Sequence, residues 1–340
     1  VSTATAGAGA GGSLTVQAPS VSLEDGAAIF ADATGDGDAG GVRINVWDAG
    51  SLSLRSGARI SSQSGREGGA VGAGSGGTVT IEAAGGAVSL AGLGTTISTN
   101  TRGSGSGGNV SIYAQRMTLQ DGASISSSSL GSGLAGDVSI ALADGLTMRG
   151  ASIETEAMTS DGGNIRIALP GLIDMIDSRI TTSVESGEGG GGNIAIARPE
   201  FVVLQRSQII ANAFGGPGGN IDIAAGQLIT DPASVIEASS ALGIDGNVNI
   251  DAPNPDVGSN LVVLPDTFLD VARLLQANCG AARAGLSSLV AVGRGGLPAD
   301  PDGYLPSAAV GVAPAAPDRG AESGALPDGS SVLAQLSCTK

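Results

Sequence analysis

Apolar and polar residues alternate in short runs along this chain, and the runs recur in a fixed order. Val110-Ser111-Ile112 leads to Met117-Thr118-Leu119, then Asp121-Gly122, then Ala123-Ser124-Ile125-Ser126. The same order opens the chain: Leu14 and Val16, then Val21-Ser22-Leu23, Asp25-Gly26 and Ala28-Ile29. It returns in Leu52-Ser53-Leu54 with Gly57 and Arg59-Ile60, and in Ile173-Asp174-Met175 with Arg179-Ile180. Alternation of this length predicts strands with one buried and one exposed face. Each unit therefore reads as three short strands joined by corners. Asp-Gly and Gly-Gly pairs are expected to supply the positive φ that such corners need.

The start of each unit is marked by a GGN-I-x-I motif. It stands at Gly107-Gly108-Asn109-Val110-Ser111-Ile112, Gly162-Gly163-Asn164-Ile165-Arg166-Ile167, Gly191-Gly192-Asn193-Ile194-Ala195-Ile196 and Gly218-Gly219-Asn220-Ile221-Asp222-Ile223. Looser copies begin at Gly11, Gly40, Gly76, Gly136 and Gly246. A period drifting between roughly 27 and 36 residues marks a solenoid. Three strands and three corners per unit predict an all-β fold: a right-handed parallel β-helix of about nine three-strand coils over residues 1–252. Coils stacked at ~4.8 Å would make a rod on the order of 40 Å long. A sandwich gives no reason for one motif to recur in one order. Asn109, Asn164, Asn193, Asn220 and Asn247 fall at equivalent points, with Asp137 substituting once. Two readings of this column stand side by side. Stacked amides can bond along the rod as a ladder, or Asn can simply tolerate a left-handed turn.

The repeat stops near Ala252, where Pro253, Pro255 and Pro265 interrupt it. Residues 253–305 read as a C-terminal cap. Within it Asp266 to Asn278 predicts a short amphipathic helix with Phe268, Val271, Leu274 and Leu275 on its apolar face and Gly280 ending it. Such a cap would cover an open strand edge. Residues 306–340 form a Pro/Ala/Gly-rich tail, expected to be flexible over 306–331.

Charge and composition narrow the chemistry. A net charge of −16 argues against nucleic acid. With no histidine, Ser-His-Asp and Cys-His catalysis and His-containing zinc sites are excluded within the chain. Aromatics at 2% leave Trp47, Tyr113 and Tyr304 too scattered for a stacking groove. Cys279 and Cys338 can close one disulfide in an oxidising compartment or remain two free thiols. No apolar run reaches the ~20 residues of a membrane helix. Val1 is not followed by a secretion signal, so the sequence is expected to be a mature form or part of something longer.

Parallel β-helices include pectin-degrading enzymes, so carboxylates clustered on adjacent coils matter. The candidates are Glu154 with Glu156, Asp174 with Asp177, and Glu24 with Asp25. Asp25, Asp121 and Asp177 share one corner, but Ser56 and Arg206 occupy it in other coils, which suits a turn former better than a catalytic column. The loop Thr34-Gly35-Asp36-Gly37-Asp38-Ala39-Gly40-Gly41 has close carboxylates, yet nonapeptide calcium rolls repeat such a unit many times. It is read as a solvated acidic loop. No catalytic residue, cofactor or metal site is expected.

Beyond the repeats, Asn254-Pro255-Asp256-Val257 leads to Leu261-Val262-Val263-Leu264-Pro265 and to Cys279. Ser287-Ser288-Leu289-Val290-Ala291-Val292 then precedes Gly293-Arg294-Gly295-Gly296-Leu297-Pro298. Together with the upstream GGN-I-x-I and L-x-L-x-DGA-x-I-S units, this resembles the C-terminal part of filamentous-haemagglutinin-like exoproteins of Gram-negative bacteria. The resemblance covers about residues 11–305. It implies a secreted or surface adhesin exported by two-partner secretion through an outer-membrane β-barrel transporter with POTRA domains. The N-terminal domain that such a transporter recognises has no counterpart here, as in a C-terminal fragment. Some relatives tether themselves through a close cysteine pair, whereas Cys279 and Cys338 are widely separated. The competing readings are a β-helical polysaccharide lyase or hydrolase, and a secretion plug in which residues 254–305 contact the transporter.

Overall fold

The computed structural model describes residues 1–65 and 72–253. The named strands among them pair in parallel, each with its counterpart one repeat away, as in Val110↔Val138 and Ile125↔Ile153. They form three lines. The first holds Leu14–Ala18, Val42–Val46, Val138–Leu142, Ile165–Ala168, Ile194–Ala197, Ile221–Ala224 and Val248–Asp251, with the opening halves of Val79–Ala91 and Val110–Gln120 in between. The second holds Val21–Leu23, Ser51–Arg55, the closing halves of those two long strands, Leu146–Arg149, Leu172–Ile176, Phe201–Gln205 and Gln227–Thr230. The third runs from Ala28–Phe30 through Ser124–Ser126 and Ser152–Glu154 to Val235–Glu237. The two long strands pass straight through the first corner, so the first two lines merge into a 15-stranded sheet beside a separate 8-stranded one.

The fold is thus a parallel β-solenoid. The expected nine coils become eight complete ones plus the opening strand of a ninth, because Val248–Asp251 is the last strand among the described residues. The proposed cap, its helix, both cysteines, the Gly293–Pro298 motif and the tail lie outside the described residues.

The core follows from the alternation. Ile60, Ile97, Ile125, Ile153, Ile180 and Ile209 stack as one fully buried column. Ile44, Ile81, Ile112, Ile140, Ile167, Ile196 and Ile223 stack as another. β-Branched side chains suit this pleated interior, and burying each one contributes about 2 kcal/mol. Between the third strand and the next GG, buried hydroxyls face inward. Thr99 donates to the Gly108 carbonyl at 2.7 Å, and Thr155 and Thr182 donate to the Gly163 carbonyl at 2.9 and 2.6 Å. They satisfy carbonyls that burial would otherwise leave unpaired.

The paired glycines do a different job from the one read in the sequence. None of those preceding the Asn column has a left-handed φ. A Cβ on Gly163 would lie 1.9 Å from the Gly136 carbonyl oxygen, and one on Gly192 would lie 1.8 Å from that of Gly163. Here glycine permits close backbone stacking, not a turn. The Asp-Gly corners do use positive φ, with Asp25 at 53° and Asp121 at 58°. A fourth contact line, absent from the sequence reading, consists of single bridges linking Thr5, Ala33, Ser64, Thr101, Ser129, Ala157 and Val184.

Candidate functional site

The Asn column lies on the outside of the last corner of each coil, where the chain returns from the third strand line to the first, immediately before the first strand. Its side chains form a continuous hydrogen-bonded ladder. Asn109 Oδ1 accepts the Asp137 N–H at 2.8 Å, and Asp137 Oδ1 accepts both the Asn164 N–H and its Nδ2 at 2.8 and 2.9 Å. Asn164 serves Asn193 in the same way, and Asn193 serves Asn220. Asn220 Oδ1 closes the run on the Asn247 N–H at 3.2 Å. The acceptor always sits on the earlier coil. These groups are tied to one another, so the ladder is structural.

A second polar ladder escaped the sequence reading. After the third strand, Asp32 Oδ1 accepts the Gln63 N–H at 2.9 Å, Asn100 Oδ1 the Ser128 N–H at 2.8 Å, and Asn212 Oδ1 the Ser239 N–H at 2.8 Å. The residue type changes from coil to coil, so only the register exposes the column.

The second corner carries the most distinctive surface feature. Asp121, Gly122 and Ala123 join Gln120 to Ser124, but only Gly150 and Ala151 join the equivalent Arg149 and Ser152. Asp177-Ser178 and Arg206-Ser207 make the same short connection in the next two coils. The following coil is longer again, with Pro232, Ala233 and Ser234 preceding Val235. Three short corners between longer ones leave a groove of about 500 Å³ along the rod, lined by Ser152, Asp177, Arg179, Arg206 and Gln208 over a Gly150-Ala151 floor.

Its side chains are held in place. Gly150, Asp177 and Arg206 open the short turns at φ 59°, 49° and 47°, the left-handed conformation that Asp25, Ser56 and Asp121 also adopt in longer ones at 53°, 54° and 58°. The left-handed region disfavours an arginine, although Arg198, outside the groove, adopts it too at φ 67°. Arg206 Nε and Nη2 each donate to a separate oxygen of Asp177 at 2.7 Å, a bidentate pair. That bond lowers the Asp177 pKa and raises that of Arg206. The Arg206 N–H donates to Asp231 at 2.9 Å, and the Ser234 hydroxyl, donating to Asp231 at 2.6 Å, is the main reason that carboxyl is also lowered. Beneath them Ser207 and Ser234 accept the N–H groups of Ser178 and Ser207 at 3.2 and 3.1 Å. Arg179 donates to Glu154 through Nε at 2.8 Å and also through Nη2.

The remaining carboxylates are accounted for locally. Asp25, Asp121 and Asp177 occupy left-handed turn positions. Asp174 pairs with Arg149 at 3.2 Å. Glu156 differs: burial, and then the neighbouring Glu154 and Glu185, raise its pKa, with Arg179 opposing. In the Thr34–Gly41 loop, Gly35 and Gly37 lie against the carbonyls of Gly7 and Gly9, and Asp38 accepts the Ser75 N–H at 2.7 Å. Among the described residues no group of three or more His, Cys, Asp or Glu side chains could hold a metal ion. No helix among them is long and apolar enough to cross a membrane. The outward face of the second strand line changes along the rod. Ser22, Ser53, Ser89, Thr118 and Thr147 give way to Asp174, then to Val203 and Ile229 beside Leu172 and Phe201.

Compared with protein-family models, curated proteins and solved structures, the chain gives no match.

Proposed function

We propose that this chain is a distal, rod-forming part of a secreted or surface-associated adhesin of a Gram-negative bacterium, exported by two-partner secretion, and that its work is structural and adhesive. The observation that carries the reading is the parallel solenoid held by side-chain ladders along its outer corners. A rod of repeated coils displays an extended surface at constant cross-section, which suits standing off from a cell. The resemblance of the repeats and of Gly293–Pro298 to filamentous-haemagglutinin-like proteins supplies the export route. A POTRA-barrel transporter is the partner during export. The coil is taken as right-handed, as parallel crossovers nearly always are.

The test is secretion in a host with and without the cognate POTRA-barrel transporter. Appearance of the chain outside the cell only with the transporter supports the reading, and equal release without it sinks it. Exchanging Cys279 and Cys338 for serine tests tethering: unchanged surface retention removes that role.

A β-helical polysaccharide lyase or hydrolase is the second reading, favoured by Glu156. A carboxyl raised by burial beside a second carboxylate is the pattern of a general acid. Reducing-end assays on a polysaccharide panel decide it. Cleavage abolished by Glu156→Gln would establish the enzyme, and no cleavage of any substrate would remove it.

A further inference from the structure

We infer that the groove over the three short corners is a binding site for a neutral, polyhydroxylated chain, an oligosaccharide without carboxylate or sulfate groups. The volume of about 500 Å³ lies within the range of ligand sites. Its long axis crosses the coils, and three coil spacings give about 14 Å, the reach of a short oligosaccharide.

The chemistry of the lining selects the class. Both guanidiniums are already neutralised, Arg206 by Asp177 and Arg179 by Glu154. An anionic ligand would have to displace a carboxylate held by two hydrogen bonds, and a cation would meet the guanidinium faces. A hydroxyl needs neither. It can accept from an arginine N–H while donating to the Asp177 carboxylate or the Gln208 carbonyl oxygen. Planar groups offering a donor beside an acceptor match adjacent hydroxyls on a sugar ring. The Gly150-Ala151 floor lets the ligand approach the backbone, and the paired side chains need little further ordering on binding.

This inference deepens the adhesive reading and rests on it. Binding in solution and export in the cell can fail separately, so the two remain distinguishable. The 340-residue chain is titrated calorimetrically with maltohexaose, cellohexaose and mannohexaose, with a hexameric oligogalacturonate, and with an extended polar hexapeptide. One neutral hexaose is expected to bind with a Kd of about 1 mM or tighter. Ser152→Trp, which fills the groove, and Gln208→Ala, which removes a polar contact, are each expected to weaken it at least about tenfold. Ser22→Trp, on an outward face far along the rod, leaves it unchanged. If Ser152→Trp fails to fold by circular dichroism, Gln208→Ala decides alone. The inference is overturned if no neutral hexaose binds at about 10 mM, if only the oligogalacturonate or the peptide binds, or if the groove variants bind like the parent.

Discussion

The first three coils and the five that follow share one interior but differ at two corners. At the ladder position the early coils carry Ser13, Gly41 and Thr78, whereas the later ones carry Asn109, Asp137, Asn164, Asn193 and Asn220. At the second corner the early coils keep the longer turn, and three of the later ones shorten it. The glycine before the ladder position is retained in both regions. Gly77 would meet the Gly40 carbonyl oxygen at 2.0 Å, much as Gly219 would meet that of Gly192 at 1.9 Å. Close backbone stacking is therefore the condition for coiling. The amide ladder is an added brace, and the shortened corner is a local specialisation.

That ranking can be broken by substitution. Gly163→Ala should be the most damaging change, at about 3 kcal/mol, because the new methyl meets backbone that has no room to yield. Gly26→Ala should cost only about 1 kcal/mol, since its φ of +76° is disfavoured but nothing lies within 4 Å. Equal urea midpoints for the two would refute the steric account.

Asn193→Ala comes next, at about 1 kcal/mol, since the Asn220 amides lose their acceptor. Thr78→Ala in the early region should cost a few tenths at most. Gly41→Asn should sharpen the contrast by adding a rung where a Cβ meets only ordinary contacts with Thr78 and Ser13. A gain of about 0.5 kcal/mol in a urea melt is expected, and a loss would mean the early coils are shaped against the ladder.

The smallest effects are those of pH at the second corner and its neighbourhood. Asp177 is lowered by Arg206, so the pair's contribution is complete above the ordinary carboxylate range and fades as pH falls through the lowered value. Arg206→Gln should melt slightly earlier than the parent at neutral pH and level with it in strong acid. The pair is more than half exposed, so the gap stays small. Glu156 has the opposite sign. Its raised pKa makes ionisation unfavourable to the fold, a penalty absent below the ordinary glutamate value of 4.5 and complete once pH exceeds the raised value. Glu156→Gln should therefore stabilise the chain at neutral pH and lose that advantage in acid. A constant difference across pH would dismiss the assigned cause.

The strands and core columns were legible because alternation repeats with the same residue classes, Val110 over Val138 over Ile165. The Asn column was legible for the same reason, although its bonding was not: a turn-tolerant Asn and a laddered one look alike in sequence. The Gly-Gly pairs were misassigned because glycine serves both positive φ and close approach, and only the neighbouring coil distinguishes them. The Asp32, Gln63, Asn100 and Ser128 column was hidden by its mixed chemistry. The groove was hidden because a corner one residue shorter leaves no motif until the strands on both sides are in register.

The two corners also brace the rod in opposite senses. In the Asn ladder the earlier coil holds the acceptor, whereas in the Ser178, Ser207 and Ser234 run the later coil does. Whichever side of a formed coil the chain extends from, one of these ladders meets a waiting acceptor and the other a waiting donor. Growth of the stack has no preferred direction built into these corners, so any well-formed coil in the region they share can seed the rest.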